Sequence, residues 1–335
     1  MDVPPLLLLV ISFAVILAGA LLFTNAVEWL GHRLDMGEGA VGSLLAAVGT
    51  AMPETLIPIV AIVDGAEGSE DVAIGAIIGA PFLLATIAMG LVGVSAFIYK
   101  TRRDQGTELK AHGPTLRRDL RFFLLFFALG VAVGVAPLPT WAQIPLVVLF
   151  IGAYATYVRR TLREGGDVES ASNIGPLIID RTPNEDDPKL KLIVTQLIIG
   201  LAAIVGGAHL FVEELLHVAS DIGIEPLVLS LILAPLATEL PEKANSFFWV
   251  RDGKDALALG NITGAMVFQS TIPIAVGLLL TEWDLSRFAI VSGVLGLVGG
   301  AIAYYEVHGK KRFSLWAVLA WIGLFIAFLF YVLAT

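Results

Sequence analysis

The chain has 335 residues, 57% of them hydrophobic and only 15% charged, with a net charge of −9 and no cysteine. A soluble domain carries nearer a quarter charged residues, so an ordinary aqueous globule is excluded. The acidic balance leaves no basic face for nucleic acid, and the missing cysteines exclude disulfides, thiolate metal sites and cysteine nucleophiles.

The apolar residues lie in long runs, and a run of roughly 20 crosses the hydrocarbon core of a bilayer as a helix. Apolar runs and polar breaks together predict ten spans, roughly 5–31, 38–63, 71–98, 120–136, 140–158, 192–218, 226–250, 256–281, 287–305 and 314–334. The first reads as a retained span and not as a signal peptide, because Met1-Asp2-Val3-Pro4-Pro5 offers no basic flank. All are expected to be helices, since an isolated strand in lipid leaves its backbone groups unpaired. The expected fold class is therefore an all-α polytopic membrane protein with a lipid bilayer as its surroundings.

Charge alternates from break to break. Every Lys and Arg except Lys243 and Arg287 lies in or beside His32-Arg33, 99–118, 159–191, 251–254 or 310–312. Positive charge marks the cytoplasmic side, so both termini are expected outside the cell or in the periplasm. Residues 159–191 mix charge with Gly, Ser and Pro and read as a cytoplasmic linker between halves at 1–158 and 192–335.

The halves repeat. A shift of 188 places Gly19-Ala20 on Gly207-Ala208, Thr50 on Thr238 and Pro53-Glu54 on Pro241-Glu242. A shift of 185 places Gly75, Gly79 and Ala80 on Gly260, Gly264 and Ala265. Five spans is an odd number, so the second copy must enter the bilayer from the opposite side. Inverted repeats of this kind characterise secondary transporters, with the substrate site where the repeats meet.

The second and seventh spans carry the chemistry. One reads Gly49-Thr50-Ala51-Met52-Pro53-Glu54, the other Ala237-Thr238-Glu239-Leu240-Pro241-Glu242-Lys243. A proline inside a helix donates no N–H to the carbonyl four residues back, which frees the carbonyls of Gly49 and Ala237. Thr50 and Glu54 share a helix face, as do Thr238 and Glu242. Each half thus offers a carboxylate, a hydroxyl and free carbonyls, an all-oxygen donor set suited to a hard cation such as Ca2+ or Na+. An ionised group at a helix centre costs roughly 2.5–3.5 kcal/mol on insertion scales, which makes a purely structural role for Glu54 and Glu242 expensive. Glu239 and Lys243 stand four apart and can pair along the helix.

Around these motifs, the Gly-x-x-x-Gly pairs of the third and eighth spans allow close helix approach. Asn261 and Gln269 share one face of the eighth, and their matching positions in the third span are Ala76 and Leu84. Spans one and six hold Asn25, Glu28, His209, Glu213 and Glu214. Of these, Glu213 is the better candidate for a role in coupling, with an ordinary structural role as the alternative.

At these residues the chain resembles the sodium/calcium exchanger, or calcium/cation antiporter, family. That family has two inverted five-helix halves, each with a Gly-Thr-Ser-x-Pro-Glu motif followed one helix later by Gly-Ser-Asn-x-Phe-(Asn/Asp). The resemblance implies that Glu54 and Glu242 are paired Ca2+ ligands, with Thr50, Thr238 and the carbonyls of Gly49 and Ala237 beside them. This sequence departs at the motif serines, which are Ala51 and Glu239, at the following serines, Ala80 and Ala265, and at the acid-amide positions, Leu84 and Gln269. The expected metal ligands are thus Glu54, Glu242, Thr50, Thr238, Glu239, Gly49, Ala237 and Gln269.

The expected function is cation antiport by alternating access: Ca2+ or another hard cation exchanged for Na+ or H+, with no enzyme chemistry, no cofactor and no obligate protein partner. The alternatives are a cation channel and a carrier for a different metal.

Overall fold

A computed structural model describes residues 4–33, 52–109, 113–136, 138–163, 175–180, 188–309 and 313–335. These form helices α1 (Pro5–Arg33), α2 (Met52–Asp64), α3 (Ser69–Leu83), α4 (Met89–Ile98), α5 (Gly113–Val135), α6 (Thr140–Arg163), α7 (Leu190–Ile222), α8 (Pro226–Arg251), α9 (Asp255–Gln269), α10 (Ile272–Leu280), α11 (Arg287–Gly309) and α12 (Leu315–Ala334). A π-helical turn, Leu84–Ala88, joins α3 to α4.

Among the described residues, seven helical stretches are long and apolar enough to cross a membrane: α1, α3 through α4, α6, α7, α9 through α10, α11 and α12. The chain is an all-helical, multi-pass membrane protein. The three other expected spans correspond to α2, α5 and α8. Only 13 residues of α2 are described. The first turns of α5 carry Arg117, Arg118, Asp119 and Arg121, and the apolar stretch of α8, Pro226–Leu240, is short and already holds Glu239 near its end.

Residues 69–98 form the central strut, buried almost throughout. Apolar on every side, they can be buried from all directions. Gly75 and Gly79 bring α3 onto the backbone of α8. A methyl at Gly75 would lie 2.5 Å from the Leu227 carbonyl oxygen, and one at Gly79 would meet the Leu231 carbonyl. Ser230 seals the contact by donating to the Val72 carbonyl at 2.6 Å. For Gly260 and Gly264 no such contact lies within 4 Å among the described residues.

The longest helices, α1 and α7, pack on each other at one side. With 29 and 33 residues they measure about 43 and 50 Å at 1.5 Å per residue, more than the hydrocarbon thickness, which is accommodated by tilt. Their axes approach at glycine. A Cβ on Gly19 would lie 2.9 Å from the Gly200 carbonyl oxygen, and one on Gly207 would lie 2.8 Å from Ile16.

The third and eighth spans are interrupted at matching places. The shift of 185 carries Thr86, in the π turn, onto Thr271, where α9 gives way to α10. Thr86 donates to the Phe82 carbonyl at 2.6 Å, and Thr271 donates to the matching Val267 carbonyl at 2.9 Å. Each hydroxyl binds a backbone acceptor where regular helix hydrogen bonding is disturbed.

Two polar contacts tie distant segments together. Arg103, after α4, forms a bidentate pair with Asp255 at the start of α9, at 2.8 and 2.9 Å, with both side chains fully buried. Residues 175–180 dock against α1 and α7. Trp29 donates to the Gly175 carbonyl at 3.0 Å, and Gln196 bridges Asn25 and the Ile179 amide at 2.8 and 3.0 Å.

Candidate cation site

Glu54 sits in the first described turn of α2, 9% exposed. It faces a small cavity of about 10 Å3, shared with Ile57 of the same helix, Ala76 and Ala80 of α3, and Ala234, Pro235 and Thr238 of α8. The space follows from residue size. Ala76 and Ala80 flank the glycines that bring α3 onto α8, so the helices are close while the wall between them is thin.

Thr238 is buried and donates its hydroxyl proton to the Ala234 carbonyl at 3.2 Å. With that proton committed, the oxygen can offer its lone pairs only as an acceptor, the form a cation requires. The structure therefore joins the carboxylate of one motif and the hydroxyl of the other at a single cavity. Ala237 is buried beside Thr238, and its carbonyl lacks a helical donor because Pro241 has no N–H.

Gly49 and Thr50 lie outside the described residues. Glu242 is placed on α8, one helical turn beyond Thr238, by its backbone; its side chain lies outside what is described. Among the described residues no three His, Asp or Glu side chains gather as a metal cluster.

Glu239 and Gln269 meet each other but do not line the cavity. Gln269 Nε2 donates to one Glu239 oxygen at 2.5 Å, and the Lys243 ammonium lies 2.7 Å from the other. The three residues are 2%, 2% and 6% exposed. Lys243 also reaches the carbonyl of Pro235, a cavity residue, at 3.5 Å. Both Glu239 oxygens are thus engaged within the protein, by an ion pair along α8 and by an amide from α9.

Of the adjacent acids on α7, Glu213 is exposed and Glu214 buried. The Glu214 carboxylate lies 3.6 Å from His217, and His209 lies 3.7 Å from Asp64 at the end of α2. Coupling through Glu213 is thus an expectation that its position on the outer face does not favour. Asp119 and Asp255 are buried as well and carry no motif. Asp119 accepts from Tyr157 and Thr263, each at 3.0 Å, and Asp255 holds Arg103. Both stand beside basic residues at the ends of apolar runs, where a charge reads as solvated; only their tertiary neighbours reveal burial.

Fold and site together define a multi-pass membrane protein with a small, mostly apolar cavity between its helices, into which one carboxylate and one hydroxyl are set. The family model described as sodium/calcium exchanger protein matches residues 4–162 and 192–334, and the chain belongs to that family. It is 26% identical over 285 residues to the sodium/calcium exchanger MaX1 of Methanosarcina acetivorans, covering 78% of this chain and 79% of that protein. Among solved structures it is similar to the H+/Ca2+ exchanger CAX, with a TM-score of 0.73 at 18% identity, covering 98% of this chain and 82% of the other. It is also similar to the sodium-calcium exchanger NCX_Mj, with a TM-score of 0.59 at 20% identity and 98% of both chains covered. At such identities these two likenesses establish the fold. Membership makes the chain a member of a family of membrane exchangers, not of catalytic enzymes.

Proposed function

We propose that the chain is a secondary-active antiporter that exchanges Ca2+ for Na+ or H+ by alternating access. Its cation would bind between Glu54 and Glu242, with the Thr50 and Thr238 hydroxyls and the carbonyls of Gly49 and Ala237 as further oxygen ligands. The observation that carries this reading is the shared cavity of Glu54 and Thr238, which unites the two repeated motifs. Hard cations favour carboxylate, hydroxyl and carbonyl oxygens, and the donors offered here are of those types.

The wider architecture belongs to the same proposal: ten spans, as two inverted five-helix halves at 1–158 and 192–335, a cytoplasmic linker at 159–191, and both termini outside. The matched interruptions at Thr86 and Thr271 support the repeat. In the transport cycle, two bare carboxylates resist crossing a dry barrier, and a bound cation or protons neutralise them. Only the neutralised site then exchanges its access from one side to the other.

Purified protein in proteoliposomes tests this directly. Radiocalcium uptake should follow an outward gradient of Na+ or of H+, and Glu54→Gln should abolish it in a protein that still elutes as a single species. Uptake that needs neither gradient, at a rate above that of carriers, would show a channel instead. Failure of Ca2+ under both gradients, with flux of another divalent ion, would show a carrier for a different metal.

A further inference from the structure

The geometry points to the Lys243 ammonium as a tethered monovalent cation, occupying a seat beside the divalent-ion cavity that a free ion would otherwise have to fill. The inference rests on the antiport reading above and deepens it. The seat is built of oxygen: a Glu239 carboxylate oxygen at 2.7 Å and the Pro235 carbonyl at 3.5 Å. Gln269 holds the other carboxylate oxygen at 2.5 Å and so fixes the carboxylate's orientation. Carboxylate and carbonyl oxygens are also what a small alkali ion takes as ligands. Pro235 belongs at once to this seat and to the wall of the Glu54 cavity, so the two positions adjoin.

The pair is more than a surface bridge between neighbouring turns. Lys243 is 6% exposed and Glu239 2%, and removing one partner of a buried pair leaves an uncompensated charge. Counted from the sequence, Glu54, Glu239 and Glu242 contribute −3 and Lys243 contributes +1, leaving −2. One Ca2+ brings that total to zero, and so do two monovalent ions. Without the lysine the total is −3, and a calcium-loaded site needs one more cation before it is neutral. Lys243 therefore sets the exchange at two monovalent ions per Ca2+, with no net charge moved.

Two measurements decide this. In wild-type proteoliposomes, the membrane potential and ion gradients at which net calcium flux vanishes should give two counter-ions per Ca2+; three or more overturns the inference without any variant. In Lys243→Met, which keeps the apolar stem and removes the charge, radiocalcium uptake in N-methylglucamine medium should fall by roughly 100-fold, the factor one unmatched mid-membrane charge represents. Na+ or methylammonium on the calcium side should restore uptake, with radiolabelled methylammonium entering about one to one with Ca2+, as expected if a free cation takes the vacated seat. A merely structural ion pair would not change which ions travel with calcium. A folded Lys243→Met that stays indifferent to both cations, while the wild type exchanges calcium, overturns the tethered-cation inference alone. A wild type that moves no calcium under either gradient overturns the antiport reading beneath it.

Discussion

Glu54 on α2 and Thr238 on α8 line one cavity, although they belong to opposite halves of the chain. The repeat equivalents of this pair are Glu242 and Thr50. If the two halves act symmetrically, removing either hydroxyl weakens the same site. Thr238→Ala should raise the calcium concentration for half-maximal uptake by roughly ten-fold, the loss of one oxygen ligand at about 1.4 kcal/mol. Thr238→Ser keeps the oxygen and should stay near wild type. Concentration-dependent radiocalcium uptake measures both, and equal affinity in the alanine variant would remove Thr238 from the ligand set.

Close backbone approach makes a separate prediction about stability. Gly79→Ala drives a methyl into the Leu231 carbonyl, where neither backbone can yield without separating α3 from α8. Overpacking of this kind costs about 1–3 kcal/mol. Gly206→Ala is the control, since its added carbon meets nothing within 4 Å among the described residues; a helical Gly-to-Ala change gains up to about 1 kcal/mol. Thermal unfolding of the detergent-solubilised protein should show a lower Tm for Gly79→Ala and an equal or higher one for Gly206→Ala.

Much of this arrangement is legible in the order of residues alone, for physical reasons. Lipid forces apolar residues into runs, so the helices stand out, and a Pro-Glu pair inside such a run announces Glu54. The partnership of Glu239 and Lys243 is also readable, from their four-residue spacing. What the spacing cannot carry is the other side of Glu239, where Gln269 arrives from another helix and engages the second oxygen. The same limit applies to Glu213 and Glu214. Adjacent residues on a helix point about 100° apart, and which one is buried depends on the neighbours α7 happens to meet. Asp119 and Asp255 are hidden for a related reason, because a charge at the end of an apolar run looks the same whether water or an arginine awaits it.

The Arg103–Asp255 pair joins the segment after α4 to the corner between α8 and α9. Gln105 adds a bond to the same carboxylate at 3.0 Å, and Arg103 donates to the carbonyls of Gly106, Glu108 and Val250. Breaking a buried pair from one side leaves the other charge stranded and costs about 3–5 kcal/mol. Asp255→Ala and Arg103→Ala should each lower Tm substantially, while the double variant should be less than the sum of the two. Additive losses in that thermodynamic cycle would show that the two side chains act independently.

Besides the Trp29 bond to Gly175, two amides of the docked segment 175–180 donate to side chains of α1 and α7. Ile179 donates its N–H to Gln196 Oε1 at 3.0 Å, and Ile178 donates to Asn25 Oδ1 at 3.2 Å. Gln196 also orders Asn25 by donating to that same oxygen and to the Leu22 carbonyl, at 2.8 and 2.9 Å. Because Gln196 is wholly buried, Gln196→Leu keeps the volume and removes the three bonds that Gln196 itself makes. Ile179 loses its acceptor outright, whereas Ile178 loses only the order of Asn25. A hydrogen bond worth about 1 kcal/mol corresponds to roughly a five-fold change in an opening equilibrium. Hydrogen exchange should therefore accelerate by about that factor at Ile179 and less at Ile178, with the interior of α7 unchanged. Equal protection of both amides in the variant would mean that Leu177, buried under the segment, anchors it without help from Gln196.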